Sequence, residues 1–117
     1  MKVIRSFKYA AEGIFTFFRH ERNGQVQCIA AVIAIVLGFW LNITAAEWIA
    51  VLLCIGAVFS LEMINTAMEK LCDLIQPELH PAIKVIKDIS AGAVLLSAVA
   101  SLIIGIIIFL PRVIRLF

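Results

Sequence analysis

The chain has 117 residues, of which 63% are hydrophobic and only 15% charged, with a formal net charge of +2 and a mean hydropathy of +1.07. That composition excludes an ordinary soluble domain of this length and points to lipid as the solvent, while so small a net charge excludes a dedicated nucleic-acid binder. Cys28, Cys54 and Cys72 are odd in number and lack a Cys-x-x-Cys spacing, so they read as small buried hydrophobes, not as a disulfide framework or a zinc site.

Residues 1–22 are expected to form an amphipathic helix lying in the membrane interface. Val3, Ile4, Phe7, Ala11, Ile14, Phe15 and Phe18 recur at three- and four-residue spacing, with Lys2, Arg5, Lys8, Glu12 and Arg19 between them. A signal peptide is excluded because the apolar residues are interleaved with charges and form no continuous run. A first span follows over 25–45, inside an uncharged stretch from Asn23 to Ala46 that is long enough for a hydrocarbon core of about 30 Å.

A second span is expected over 47–75. Its uncharged part, Trp48 to Leu61, is only about 14 residues and is short for a crossing, so the helix must continue through Glu62, Asn65 and Glu69. A chain that crosses once must also cross back before Ile89 can begin another span. The run Gln76-Pro77-Glu78-Leu79-His80-Pro81 is the conspicuous break, and a third span follows over 88–111. The whole chain reads as one domain, an all-α membrane protein with an interfacial helix and three transmembrane helices. Trp40 and Trp48 suit aromatic-belt positions at a membrane surface.

Orientation follows from the cations. Five lie before Asn23, and Lys70, Lys84 and Lys87 flank the second loop. The Asn42–Glu47 turn has none, and only Arg112 and Arg115 argue the other way. The N-terminus and the 70–88 loop are therefore expected in the cytoplasm and the C-terminus outside.

The chemistry is concentrated on one face of the second span. Glu62, Asn65, Glu69 and Asp73 fall within an arc of about 80° at 100° per residue, with Glu62 about 10 Å deeper than Glu69. Helix-tying hydrogen bonds alone would explain Asn65. They do not explain three carboxylates, each of which costs roughly 2.5 kcal/mol or more in a span. Lys84, Lys87 and Asp88 at the mouth of the third span, and Glu21 before the first, converge on the same membrane level. His20 and His80 have no partner at metal spacing and read as surface or capping residues.

No Walker A, GxGxxG or protein-kinase signature is present. The run Glu62-Met63-Ile64-Asn65-Thr66-Ala67-Met68-Glu69 with Asp73, the loop Pro77-Glu78-Leu79-His80-Pro81 and the run Lys87-Asp88-Ile89-Ser90-Ala91-Gly92-Ala93-Val94 nevertheless resemble the prokaryotic diacylglycerol kinase and undecaprenol kinase family. Arg5-Ser6-Phe7-Lys8-Tyr9-Ala10, Gly13, Glu21-Arg22-Asn23 and Trp40 extend the resemblance over nearly the whole chain.

The resemblance implies a homotrimeric lipid kinase of the bacterial inner membrane, with active sites shared between subunits, that moves the γ-phosphoryl group of Mg-ATP onto a lipid alcohol. On that basis Glu62 is the general base, Asn65 and Trp40 join it at the lipid substrate, and Glu21 and Glu69 hold Mg²⁺. Glu78, Leu79, His80, Lys87 and Asp88 contact the nucleotide, and Tyr9, with Arg5 or Lys2, completes its cover. Gln25-Val26-Gln27 departs from the Arg-Ile-His run of many Gram-positive-type members, which removes any charge role there. The Glu47-Trp48 helix start, the Pro-Glu-Leu-His-Pro loop and the Phe109-Leu110-Pro111-Arg112 ending resemble the undecaprenol kinase branch, so a polyprenol is expected as substrate and diacylglycerol is the alternative.

Two readings from other classes compete. A small proton-coupled transporter also uses an intramembrane Glu, but it would show four short spans and would leave Glu21, Glu69, Asp73 and Lys87-Asp88 without roles. A structural anchor subunit would be indifferent to loss of the Glu62 carboxylate.

Overall fold

A computed structural model describes residues 1–117 as four helices, α1 (Lys2–His20), α2 (Arg22–Trp40), α3 (Ala45–Ile75) and α4 (Pro81–Leu116). The last three are long and apolar enough to cross a membrane. At 1.5 Å per residue, α2 is about 28 Å long, α3 about 46 Å and α4 about 54 Å. The last two overshoot a hydrocarbon core of about 30 Å, and the surplus carries the charges.

Each break has a local cause. Between α1 and α2, Glu21 is extended at φ −103° and ψ 120°. Buried Phe17 lies so close to α2 that a Cβ added at Gly24 would stand 2.6 Å from the ring. Gln25 reaches back across this elbow and donates from Nε2 to the carbonyls of Phe18 and Arg19, 3.2 Å each, satisfying acceptors that the end of α1 leaves free.

Between α2 and α3, Asn42 takes a left-handed φ of 55°, which asparagine tolerates better than most residues. Thr44 and Glu47 then form a reciprocal capping box that starts α3. The first span was expected to run to residue 45, but this turn ends α2 at Trp40. His80 caps α4 by accepting from the backbone N–H of Ala82 at 3.1 Å, and Pro81 occupies the first turn, where no N–H is needed. Consequently α4 begins seven residues before the expected start at 88.

The three long helices alternate in direction, and α3 packs most extensively on α4 and then on α2. The result is a slab of 54 × 41 × 21 Å with 8763 Å² of accessible surface. A compact soluble monomer of this mass would expose about 6,300 Å². The excess is apolar and includes Leu53, Leu96 and Ile107, a face suited to lipid. Ile43, Val51 and Ile108 form a small core at the end of the slab holding the 41–44 turn, with Trp48 and Phe109 beside it. Of the three cysteines, Cys72 is buried, Cys54 half-buried and Cys28 exposed. The expectation of burial fails for Cys28 because an apolar residue in a spanning helix needs lipid, not protein, around it.

Candidate active site

The buried residues of α3 are Val51, Val58, Glu62, Asn65 and Cys72. They occupy one arc of about 80°. A single seam thus runs from valines at one end to a carboxylate and an amide at the other. Glu62 is 5% and Asn65 8% exposed, whereas Glu69 and Asp73, further along the same face, are exposed. Asn65 donates from Nδ2 to Glu69 Oε1 at 3.2 Å, and its own Oδ1 is buried without a partner.

An apolar cleft of about 540 Å³ opens between α2, α3 and α4. Val58 and Phe59 are among its lining residues, so it reaches to within one helical turn of Glu62. Volumes of this size suit small-molecule ligands, and the lining is almost entirely hydrophobic.

A second cleft, of about 350 Å³, lies at the loop between α3 and α4. Glu78, Leu79, His80, Lys87 and Asp88 all line it, together with Lys84. Five residues singled out from the sequence are thus brought to one place. Two ion pairs organise its walls. Lys87 Nζ donates to Asp73 Oδ1 at 2.5 Å, joining α4 to the end of the polar seam, and Lys84 Nζ donates to Asp88 Oδ2 at 2.6 Å. Both lysines precede residues 88–111, the stretch of α4 expected from the sequence to span the hydrocarbon. Donating to Asp73 raises the pKa of Lys87, and donating to Asp88 raises that of Lys84. Both therefore stay cationic across the physiological range.

Glu21 is half-buried at the α1–α2 elbow, and Lys70 Nζ lies 3.4 Å from its Oε1. That contact brings the elbow against the turn of α3 that carries Glu69. Phe18 reinforces it, meeting Phe59 of α3 edge-on at 5.1 Å between centroids. These contacts of Lys70 and Gln25 were not expected from the sequence. The first acts across 49 positions, and the second acts on carbonyls of the preceding helix, so neither leaves a periodic trace.

The remaining candidates lie elsewhere. Arg5 and Tyr9 are exposed on α1 and line neither cleft. Trp40 is exposed at the 41–44 end of the slab, away from the Glu62 level. No three His, Cys, Asp or Glu side chains are clustered as a metal cage. Of the carboxylates on or beside the seam, Glu69 stands next to Lys70, which contacts Glu21, so these two are the pair considered for a metal. That set fits Mg²⁺, which is commonly held by one or two carboxylates with phosphate oxygens and water completing the shell.

Residues 8–109 match the family model described as prokaryotic diacylglycerol kinase. An undecaprenol kinase of Bacillus subtilis is 44% identical over 111 residues, covering 95% of this chain and 90% of that protein. A diacylglycerol kinase of Synechocystis is 35% identical over 112 residues, covering 95% of this chain and 64% of its own length. A diacylglycerol kinase of Haemophilus influenzae is 32% identical over 105 residues, covering 90% of this chain and 86% of its own.

Proposed function

The chain belongs to the prokaryotic diacylglycerol kinase family and is a lipid kinase, and on that premise we propose that it transfers the γ-phosphoryl group of ATP to the hydroxyl of a membrane-embedded polyprenol, undecaprenol. The observation that carries this reading is the seam of α3. There a buried carboxylate and a buried amide with an unpartnered oxygen sit one turn from an apolar cleft and run on toward a polar one. A lipid alcohol has that polarity profile, with an apolar tail and one hydroxyl.

In this reading Glu62 takes the proton from the hydroxyl as the oxygen attacks the γ-phosphorus and the bond to the bridging oxygen of ADP breaks. Before that step Asn65 Oδ1 accepts the hydroxyl's one hydrogen bond and orients the incoming alcohol, which then turns the same proton to Glu62, while Asn65 Nδ2 stays on Glu69. Lys87 and Asp88, with Glu78, Leu79 and His80, hold the nucleotide in the loop cleft. Lys87 leaves Asp73 to meet phosphate, an exchange that an exposed ion pair permits at little cost. Glu21 and Glu69 would hold Mg²⁺, which neutralises charge on the phosphate oxygens.

Arg5, Tyr9 and Trp40 do not reach this site within one chain, which supports a homotrimer whose sites are completed across subunits. The large apolar surface of the slab supports the same conclusion. Helix α1, with its basic residues and Phe7, Tyr9 and Phe15 exposed, is assigned to the cytoplasmic interface of the bacterial inner membrane, so that the N-terminus and the 76–80 loop share one side. Undecaprenol is preferred to diacylglycerol because the 44% identical relative is an undecaprenol kinase, whereas the diacylglycerol kinases of Synechocystis and Haemophilus influenzae are 35% and 32% identical.

The test is transfer of labelled γ-phosphate from Mg-ATP to undecaprenol and to dioleoylglycerol in mixed micelles, by the native chain and Glu62→Gln. Preference for undecaprenol, abolished by the substitution, is expected. Preference for dioleoylglycerol would reverse the substrate assignment, and undiminished transfer by the variant would remove Glu62 from the role of base.

A further inference from the structure

The α3–α4 hairpin is closed by an ion pair at each end. At the loop end Lys87 holds Asp73, and at the far end the Arg112 guanidinium holds the Glu47 carboxylate. Asp73 lies 26 residues after Glu47 on α3, and Lys87 lies 25 residues before Arg112 on α4. At 1.5 Å per residue the two rails measure about 39 Å and about 38 Å, so both pairs form in one register of the antiparallel helices. The same length is close to the distance of about 40 Å from one head-group region to the other.

The two pairs differ in their surroundings. The side chains of Lys87 and Asp73 are 37% and 63% exposed, and such a pair in water holds little. Those of Arg112 and Glu47 are 25% and 24% exposed, beside the Ile43, Val51 and Ile108 core. Glu47 is also anchored independently of Arg112, since its carboxylate accepts from the Thr44 backbone N–H at 2.9 Å in the box that starts α3. Arg112 therefore closes on a carboxylate already fixed to the end of a helix.

We propose that Glu47 and Arg112 form a register lock that positions Lys87 from the opposite face of the membrane. The lock holds α4 against sliding when Lys87 releases Asp73 for phosphate. It rests on the assignment of Lys87 to the nucleotide. A slide of one residue would move the Lys87 Cα by about 1.5 Å, and displacements of about 1 Å at a phosphoryl-transfer site cost up to 100-fold in rate. Glu47 and Arg112 are positioning residues, with no contact to substrate.

The test uses the full chain in lipid, with Arg112→Gln, Arg112→Lys and Glu47→Gln, the last retaining a side-chain oxygen for the Thr44 cap. Arg112→Gln and Glu47→Gln are expected to raise the KM for ATP about tenfold, and Arg112→Lys to stay within about twofold, with the KM for lipid unchanged. In a Lys87→Met background, Arg112→Gln should add almost nothing to the KM for ATP, because the group it positions has gone. Spin labels at Leu74→Cys and Val85→Cys, both exposed positions, in a chain with the native cysteines replaced by alanine, should give a distance distribution that broadens on Arg112→Gln. An Arg112→Gln effect undiminished in the Lys87→Met background, or a label distribution left unchanged by Arg112→Gln, would overturn the lock. If Lys87→Met itself leaves the KM for ATP unaltered, the placement of Lys87 on the nucleotide fails. The label distances then decide the lock alone, broadening supporting it and constancy overturning it.

Discussion

Asn65 is held by the residue one turn further along its own helix, donating from Nδ2 to Glu69 Oε1 at 3.2 Å while Oδ1 faces inward with no partner. A buried amide oxygen left unpaired costs about 1–3 kcal/mol, a debt that a donor hydroxyl arriving beside it would cancel. Asn65→Ala should therefore lower kcat by at least about tenfold without lowering Tm, since the native chain already bears the unpaired group. Asn65→Asp should be worse, because it sets a second carboxylate against Glu69. Steady-state rates at saturating lipid, with melting curves in the same micelles, separate the two effects.

Glu62→Gln keeps the size and shape of the side chain but removes its charge and its ability to take a proton. Turnover should fall by about 10²–10⁴-fold, the range typical of a lost general base. ATP affinity should remain within about twofold, because the loop cleft does not include Glu62. Equilibrium binding of a nucleotide analogue beside single-turnover transfer makes the comparison. A parallel fall in both quantities would move Glu62 from chemistry to binding.

How legible these features were depends on how far apart the interacting residues are. The seam of α3 was readable because Glu62, Asn65, Glu69 and Asp73 share a helical period and stand out against an apolar background, and the structure buries the first two as a spanning helix would. The three apolar helices were readable from length alone, although the stop at Trp40 depends on the left-handed Asn42 and the Thr44–Glu47 cap, which a hydropathy window passes over. Glu47–Arg112, 65 positions apart, leaves no local pattern, and neither does Glu21–Lys70. Cys28 shows the remaining difficulty. In a spanning helix the face toward lipid is as apolar as the face toward protein, so hydropathy does not tell exposed from buried.

The α1–α2 elbow gives a packing prediction. A Cβ at Gly24 would lie 2.6 Å and 2.9 Å from ring atoms of buried Phe17, whose ring packs edge-on against Phe18, itself in contact with Phe59. Gly24→Ala should destabilise by about 1–3 kcal/mol, the usual range for overpacking. It should also raise the Mg²⁺ concentration needed for half-maximal rate, because Glu21 sits at the displaced elbow. Adding Phe17→Leu should restore much of both losses. Metal titrations of the single and double variants check the coupling, and additive defects would show that Phe17 and Gly24 act separately.

The charge on Lys87 ties nucleotide affinity to pH. Its hydrogen bond to Asp73 raises the folded-state pKa above the ordinary lysine value of about 10.4. The stabilisation associated with that shift is fully present below the unfolded-state pKa and is lost as pH rises through the folded one. Nucleotide affinity should accordingly stay level through the neutral range, with no loss until the pH passes the ordinary lysine value. Asp73→Asn removes the first and largest cause of the shift, so the Lys87 titration should move down toward that value. Titration of ¹⁵N-labelled lysine side chains by NMR reads this directly. A Lys87 resonance that titrates identically in the native chain and in Asp73→Asn would show that the contact does not govern the charge on Lys87.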